Sequence, residues 1–81
     1  MISCSEYDYI EIVCLYHYPI KLTMASGEVI EGKALNTKYN DQRQECILLS
    51  VDGNEVMVVL DGLSSLEVCI DNPHFKTVSF T

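Results

Sequence analysis

At 81 residues, with twelve Asp and Glu against five Lys and Arg, the chain carries a net charge of -7, which repels phosphate backbones and favours basic surfaces. The length leaves room for one core only, and a hydrophobic fraction of 48% excludes a disordered chain, so a single domain over residues 1–81 is expected. No apolar run reaches the ~20 residues of a membrane span, and Met1-Ile2-Ser3-Cys4-Ser5-Glu6 lacks the basic start and apolar stretch of a signal peptide, so a cytoplasmic location is expected.

Residues 5–17 are expected to form the one good helix. Ser5 is placed to cap it, Asp8 completes an S-x-x-D capping box, and Glu6 and Asp8 complement the positive end of the helix dipole. Ile10, Val13, Cys14 and His17 recur at i, i+3, i+4 and i+7 and are expected to face the core, while Pro19 stops the helix. Asp8, Glu11, Ile12 and Leu15 repeat the same spacing on the other side, mixing carboxylates with two aliphatic groups. Either this is a partner-binding face, or the strands curl round to cover Ile12 and Leu15.

From Ile20 the period changes to two. Ile20, Leu22 and Met24 alternate with Lys21, Thr23 and Ala25, Ser26-Gly27 turns the chain, and Glu28 to Leu35 returns as a second strand in which Gly32 suggests a bulge or sharp bend. Asn36 to Gln44 is expected to be a polar connection. Glu45 to Val51 and Glu55 to Leu60 then form a second hairpin around Asp52-Gly53-Asn54. Asp61-Gly62 leads through Leu63-Ser64-Ser65-Leu66 into a strand at Glu67 to Ile70, Asp71-Asn72-Pro73 breaks it, and Phe75 to Phe80 is the last strand-like segment.

A helix followed by five to six short antiparallel strands, without helical crossovers, predicts a mainly β (α+β) fold: a small, strongly bent barrel over about 19–80 with the helix across one open end. Closing the sheet would hide its edges.

The residues do not form a recognisable catalytic or metal motif. Cys14 and His17 stand three apart on one helical face, but both are wanted for the core, and no close cysteine pair exists. Cys4, Cys14, Cys46 and Cys69 are widely spaced and are expected as free thiols. The imidazoles His17 and His74 lie in no nucleophile motif and no phosphate-binding glycine loop is present, so no enzyme activity and no cofactor or metal are expected. Tyr7, Tyr9, Tyr16 and Tyr18 cluster around acids rather than the Lys and Arg of a base-stacking platform, which suits a protein interface or a half-buried position better than nucleic acid.

Cys4-x-x-Tyr7-Asp8-x-Ile10-Glu11-x-x-Cys14, Leu22-Thr23 before Gly27, Gly32-Lys33-Ala34, Leu60-Asp61 and Asn72-Pro73 resemble the Rof family of Rho-binding antiterminators across nearly the whole chain. The resemblance implies an Sm-like fold and a protein that binds the N-terminal RNA-binding region of the transcription termination factor Rho and inhibits termination. By position it implies contact residues Glu6, Tyr7, Asp8 and Glu11, with Asn36 and Lys38 in the polar connection as a second group. Glu6 and Asp8 also suit helix capping, and Tyr7 suits the core. Ring-forming Sm-like proteins bind RNA through an Asp-x-x-Asn type loop after the second strand, whereas the stretch here reads Leu35-Asn36-Thr37-Lys38-Tyr39-Asn40. A free monomer without direct nucleic-acid binding is therefore expected. The alternatives are an Sm-like nucleic-acid-binding module and an unrelated interaction domain.

Overall fold

The computed structural model describes residues 4–80, with side chains from Glu6 onward. Helix α1 (Cys4–Leu15) is followed by β1 (Pro19–Met24), β2 (Val29–Tyr39), β3 (Glu45–Val51), β4 (Asn54–Val59), a 3-10 turn (Leu60–Gly62), β5 (Leu63–Val68) and β6 (Thr77–Ser79). All six strands belong to one antiparallel sheet in the order β4-β3-β2-β1-β5-β6. This is the expected mainly β architecture, one helix and then six short strands. The expected closure differs: among the described residues β4 and β6 stand at the two ends of the strand order without pairing, so the sheet is bent around its core and no ladder joins its ends.

The core is aliphatic and wraps the inner side of the bend. Ile10 and Val13 from α1 meet Ile20, Leu22, Ala34, Ile47, Leu49, Val58, Leu60, Leu63, Leu66 and Val68, all buried. Alternation explains most of this set, because Ile20 and Leu22 on β1 and Ile47 and Leu49 on β3 point the same way across the pleat. Burying one such side chain contributes about 1.5–3 kcal/mol.

The helix boundaries differ from expectation at both ends. Cys4 is already helical, so Ser5 lies within the first turn instead of capping it, and its side chain falls outside the described residues. At the other end Tyr18 N–H donates to the Val13 carbonyl (3.0 Å) and His17 N–H to the Cys14 carbonyl (3.3 Å), the paired bonds of a Schellman stop. That motif needs a left-handed residue, and His17 takes the role at φ 54. His17 is consequently exposed, not a core residue, and Cys14 is only half-buried.

Two irregularities shape β2. Gly32 is not the bulge; a Cβ there would sit 2.8 Å from the Ser50 carbonyl oxygen and 2.9 Å from Val51 Cγ2, so this is where β3 crosses too close for any side chain. The bulge falls at Leu35, where the register steps from Ala34↔Leu49 to Asn36↔Leu48. Beyond it β2 continues to Tyr39, which places Asn36 and Lys38 on a strand instead of in the expected connection. The true connection is tightened by Asn40, whose Oδ1 accepts from the N–H groups of Gln42 (3.0 Å) and Gln44 (2.9 Å). Asp52 and Gly53, both at positive φ, make the two-residue turn between β3 and β4.

Strand β5 begins at Leu63, four residues before the expected Glu67. A register shift between Thr23 and Met24 puts Leu63 in the core out of step with Leu66 and Val68, and this hides the strand's alternation. Ahead of β6, Asn72 organises a turn: its amide donates to the carbonyls of Ile70 and Phe75 (3.0 Å each) and its oxygen accepts from the N–H groups of His74 (2.9 Å) and Phe75 (3.1 Å). The turn carries Phe75 against Tyr9 (centroids 4.7 Å) and His74 against Tyr16 (4.9 Å), tying the last segment to α1.

Candidate functional site

Burying Ile10 and Val13 turns the opposite side of α1 outward, and the bulge in β2 brings Leu35 alongside it. Between the two elements runs an open groove of about 790 Å³ lined by residues of α1, by His17 and by Leu35, Asn36 and Thr37 of β2. Three of the sequence-predicted site residues, Asp8, Glu11 and Asn36, line it together. Asp8 and Glu11 are exposed, one helical turn apart. Asn36 is aimed by the bulge: without the extra residue it would share the inward face of Ala34, whereas here it pairs with Leu48 on the other face. Its Oδ1 accepts from Thr37 N–H at 2.8 Å.

The groove also settles Ile12 and Leu15. Both line it; Leu15 is left 71% exposed, whereas Ile12 is half-buried.

Tyr7, another of the sequence-predicted residues, does not line the groove. Its hydroxyl donates to the Glu45 carboxylate on β3 at 2.5 Å and lies 3.3 Å from the Thr37 hydroxyl on β2, while its ring packs against the core. Glu45 holds the Tyr7 proton and so raises the phenol above its ordinary value. Tyr7 is thus a half-buried strut that fixes α1 to the sheet. Glu6 is half-buried and Lys38 is exposed on β2 opposite Cys46; neither lines the groove. Sequence reasoning did not single out Thr37, Glu45 or Leu35: Leu35 and Thr37 owe their place to the bulge, and Glu45 to a contact 38 residues away in sequence.

Cys14, at the groove's edge, has its thiol pushed up to about 11, chiefly by burial and further by the Glu11 charge, so it stays protonated and weakly nucleophilic at neutral pH. Among the described residues no three or more His, Cys, Asp or Glu gather as metal ligands, and no buried side-chain polar atom is left without a partner. No helix among them is long and apolar enough to cross a membrane. What the groove presents is a carboxylate rim over aliphatic walls, a surface suited to binding.

Comparison with known proteins gives a consistent picture. A family model described as "Modulator of Rho-dependent transcription termination (ROF)" matches residues 1–80. A solved structure of YaeO bound to magnesium, from Vibrio cholerae O395, is similar with a TM-score of 0.88 and 48% identity, covering 93% of this chain and 97% of that one. No match was found among curated proteins.

Proposed function

This chain belongs to the ROF family of modulators of Rho-dependent transcription termination, and on that premise we propose that it inhibits termination in the cytoplasm by binding the N-terminal RNA-binding region of Rho and blocking RNA loading, without catalysing a reaction. The observation that carries this reading is the groove face of α1, where Asp8 and Glu11 stand exposed beside Ile12 and Leu15. A surface that holds RNA must be electropositive, because it neutralises phosphates. An acidic domain with net charge -7 is drawn to such a surface and occupies it sterically. Carboxylates that meet Arg or Lys there form charge-assisted hydrogen bonds, while the aliphatic neighbours contribute area from which water is excluded. The same charge disfavours RNA as a direct ligand.

The test is the fluorescence anisotropy of a labelled cytosine-rich RNA on purified Rho, titrated with this protein, with a parallel titration lacking Rho. The expected result is a fall towards the free-RNA value with a flat control. An unchanged signal would remove RNA displacement, and a rise in the control would replace the proposal with an Sm-like nucleic-acid-binding module.

A further inference from the structure

The sheet has two end strands, and only one is guarded. β6 (Thr77–Ser79) is three residues long and follows Lys76, and both features discourage pairing with a further strand. β4 (Asn54–Val59) runs six residues in unbroken register against β3, with no Pro, Lys or Arg and no bulge, and no strand pairs with its other side among the described residues. The turn before it fixes which backbone groups face outward. Val51 and Asn54 flank the two-residue turn, so antiparallel alternation directs the N–H and C=O groups of Asn54, Val56 and Val58 to β3 and those of Glu55 and Met57 to the outer side. Glu55 is exposed and Met57 is 39% exposed. The edge is also continuous with the groove face: Asn36, Leu48 and Met57 form one rung across β2, β3 and β4, so the edge lies two strand spacings, about 10 Å, from the groove's Asn36.

Resting on the Rho-binding reading above, we propose that β4 is a second contact, at which an extended, basic segment of the partner adds to the sheet as a further strand through the backbone groups of Glu55 and Met57. The occupant is an extended chain because outward N–H and C=O groups at strand spacing are matched by another strand's backbone. It is basic because Glu55 is the one charged side chain on β4, exposed, with neutral Ser50 beside it on the rung and Lys33 a further strand away. A Lys or Arg opposite Glu55 makes a favourable cross-strand pair. The same charge disfavours a second copy, since two chains of net charge -7 repel, and antiparallel pairing of two β4 strands brings both Glu55 carboxylates to one seam. The acidic rim of the groove and the β4 edge thus engage one basic partner, the first by side chains and the second by main chain.

The experiment measures amide hydrogen exchange of the protein alone and in complex with purified Rho, quenched and read residue by residue by NMR after release. Alongside it, the Rho affinity of Met57→Pro, Met57→Ala and Glu55→Gln is measured, with circular dichroism confirming each fold. Met57→Pro removes an outward donor and spares the β3 ladder, as Pro on an edge strand does, whereas Met57→Ala keeps the donor. The Glu55 and Met57 amides are expected to exchange fast in the free protein and at least about tenfold more slowly in the complex, while Val56 and Val58 are slow in both. Met57→Pro is expected to weaken binding about tenfold, Met57→Ala by less than about threefold, and Glu55→Gln to weaken it chiefly at low salt. If the Glu55 and Met57 amides stay fast in the complex, or folded Met57→Pro binds within about twofold of wild type, edge pairing is overturned and the Rho-binding reading stands. If the two amides become slow in the protein alone as its concentration rises, the occupant is a second copy and the proposal is likewise overturned. Wild-type protein that fails to bind Rho overturns both.

Discussion

The two sides of α1 carry the same kind of aliphatic residue and meet opposite fates. Ile10 and Val13 are fully buried against the sheet, whereas Ile12 is half-buried and Leu15 largely exposed, although all four lie within six residues of one helix. The difference teaches that an aliphatic position on a short helix does not announce its own burial. The sheet supplies one concave surface, and the helix can turn only one side to it. The side left over, fixed in place by the buried one, becomes a rigid platform on which Asp8, Glu11 and Leu15 keep their spacing.

The largest expected effect tests this contrast directly. Ile10→Ala should destabilise the fold by about 3 kcal/mol, through lost transfer energy and a cavity, while Leu15→Ala should change stability by no more than ~0.5 kcal/mol; urea denaturation of the two variants measures both. Comparable losses would break the contrast and make Leu15 a structural residue. Next in size is Gly32→Ala, whose new methyl group would press on the Ser50 carbonyl and Val51. It should cost about 2 kcal/mol as an overpacked site, and because the clash lies where β3 crosses β2, it tests whether the bend that forms the inner surface depends on that close approach.

The smallest effect concerns the strut between the two regions. Tyr7→Phe should lose about 1 kcal/mol, a charged-partner hydrogen bond discounted for partial exposure, while the core packing of the ring is retained. Since Glu45 raises the folded-state value of the phenol, the stability it contributes is fully present below the unfolded value near pH ~10 and is lost as pH rises through the higher folded value. The gap between wild type and Tyr7→Phe, followed by denaturation from pH 8 into strong alkali, should therefore narrow only at the alkaline end. A gap that stayed constant there would show that the phenol's proton is not what holds the helix.

Much of the fold was legible from local pattern. The switch from a period of 3.6 to a period of 2 near Pro19, the turn residues at Ser26-Gly27 and Asp52-Gly53, and the break at Asn72-Pro73 all mark real boundaries, because each is governed by a few adjacent backbone dihedrals. Irregular positions were not legible. Leu63 reads as part of a connection because a register shift offsets it from Leu66 and Val68, and His17 reads as core because its i+7 spacing carries the expected helix two residues past its true end at Leu15. Asn36 and Lys38 were placed in a loop because polar residues on an exposed strand look like a connection until the partner strand is known. Within the candidate site, Asp8 and Glu11 were readable from helical spacing alone, whereas Leu35, Thr37 and Glu45 were not, since their part depends on a bulge and on a contact 38 residues apart in sequence.

By itself the sequence determined the element types, the single aliphatic core, the acidic charge and the family of this protein, since these follow from composition, short-range periodicity and residue order. Only the tertiary structure decided that β4 and β6 do not pair among the described residues, that Tyr7 serves as a strut, and that Asp8, Glu11, Leu15 and Asn36 share one groove. Those outcomes depend on where a bent sheet meets the helix, and the register of long-range strand pairing is set by the packing of the whole core at once, which no local stretch of residues encodes.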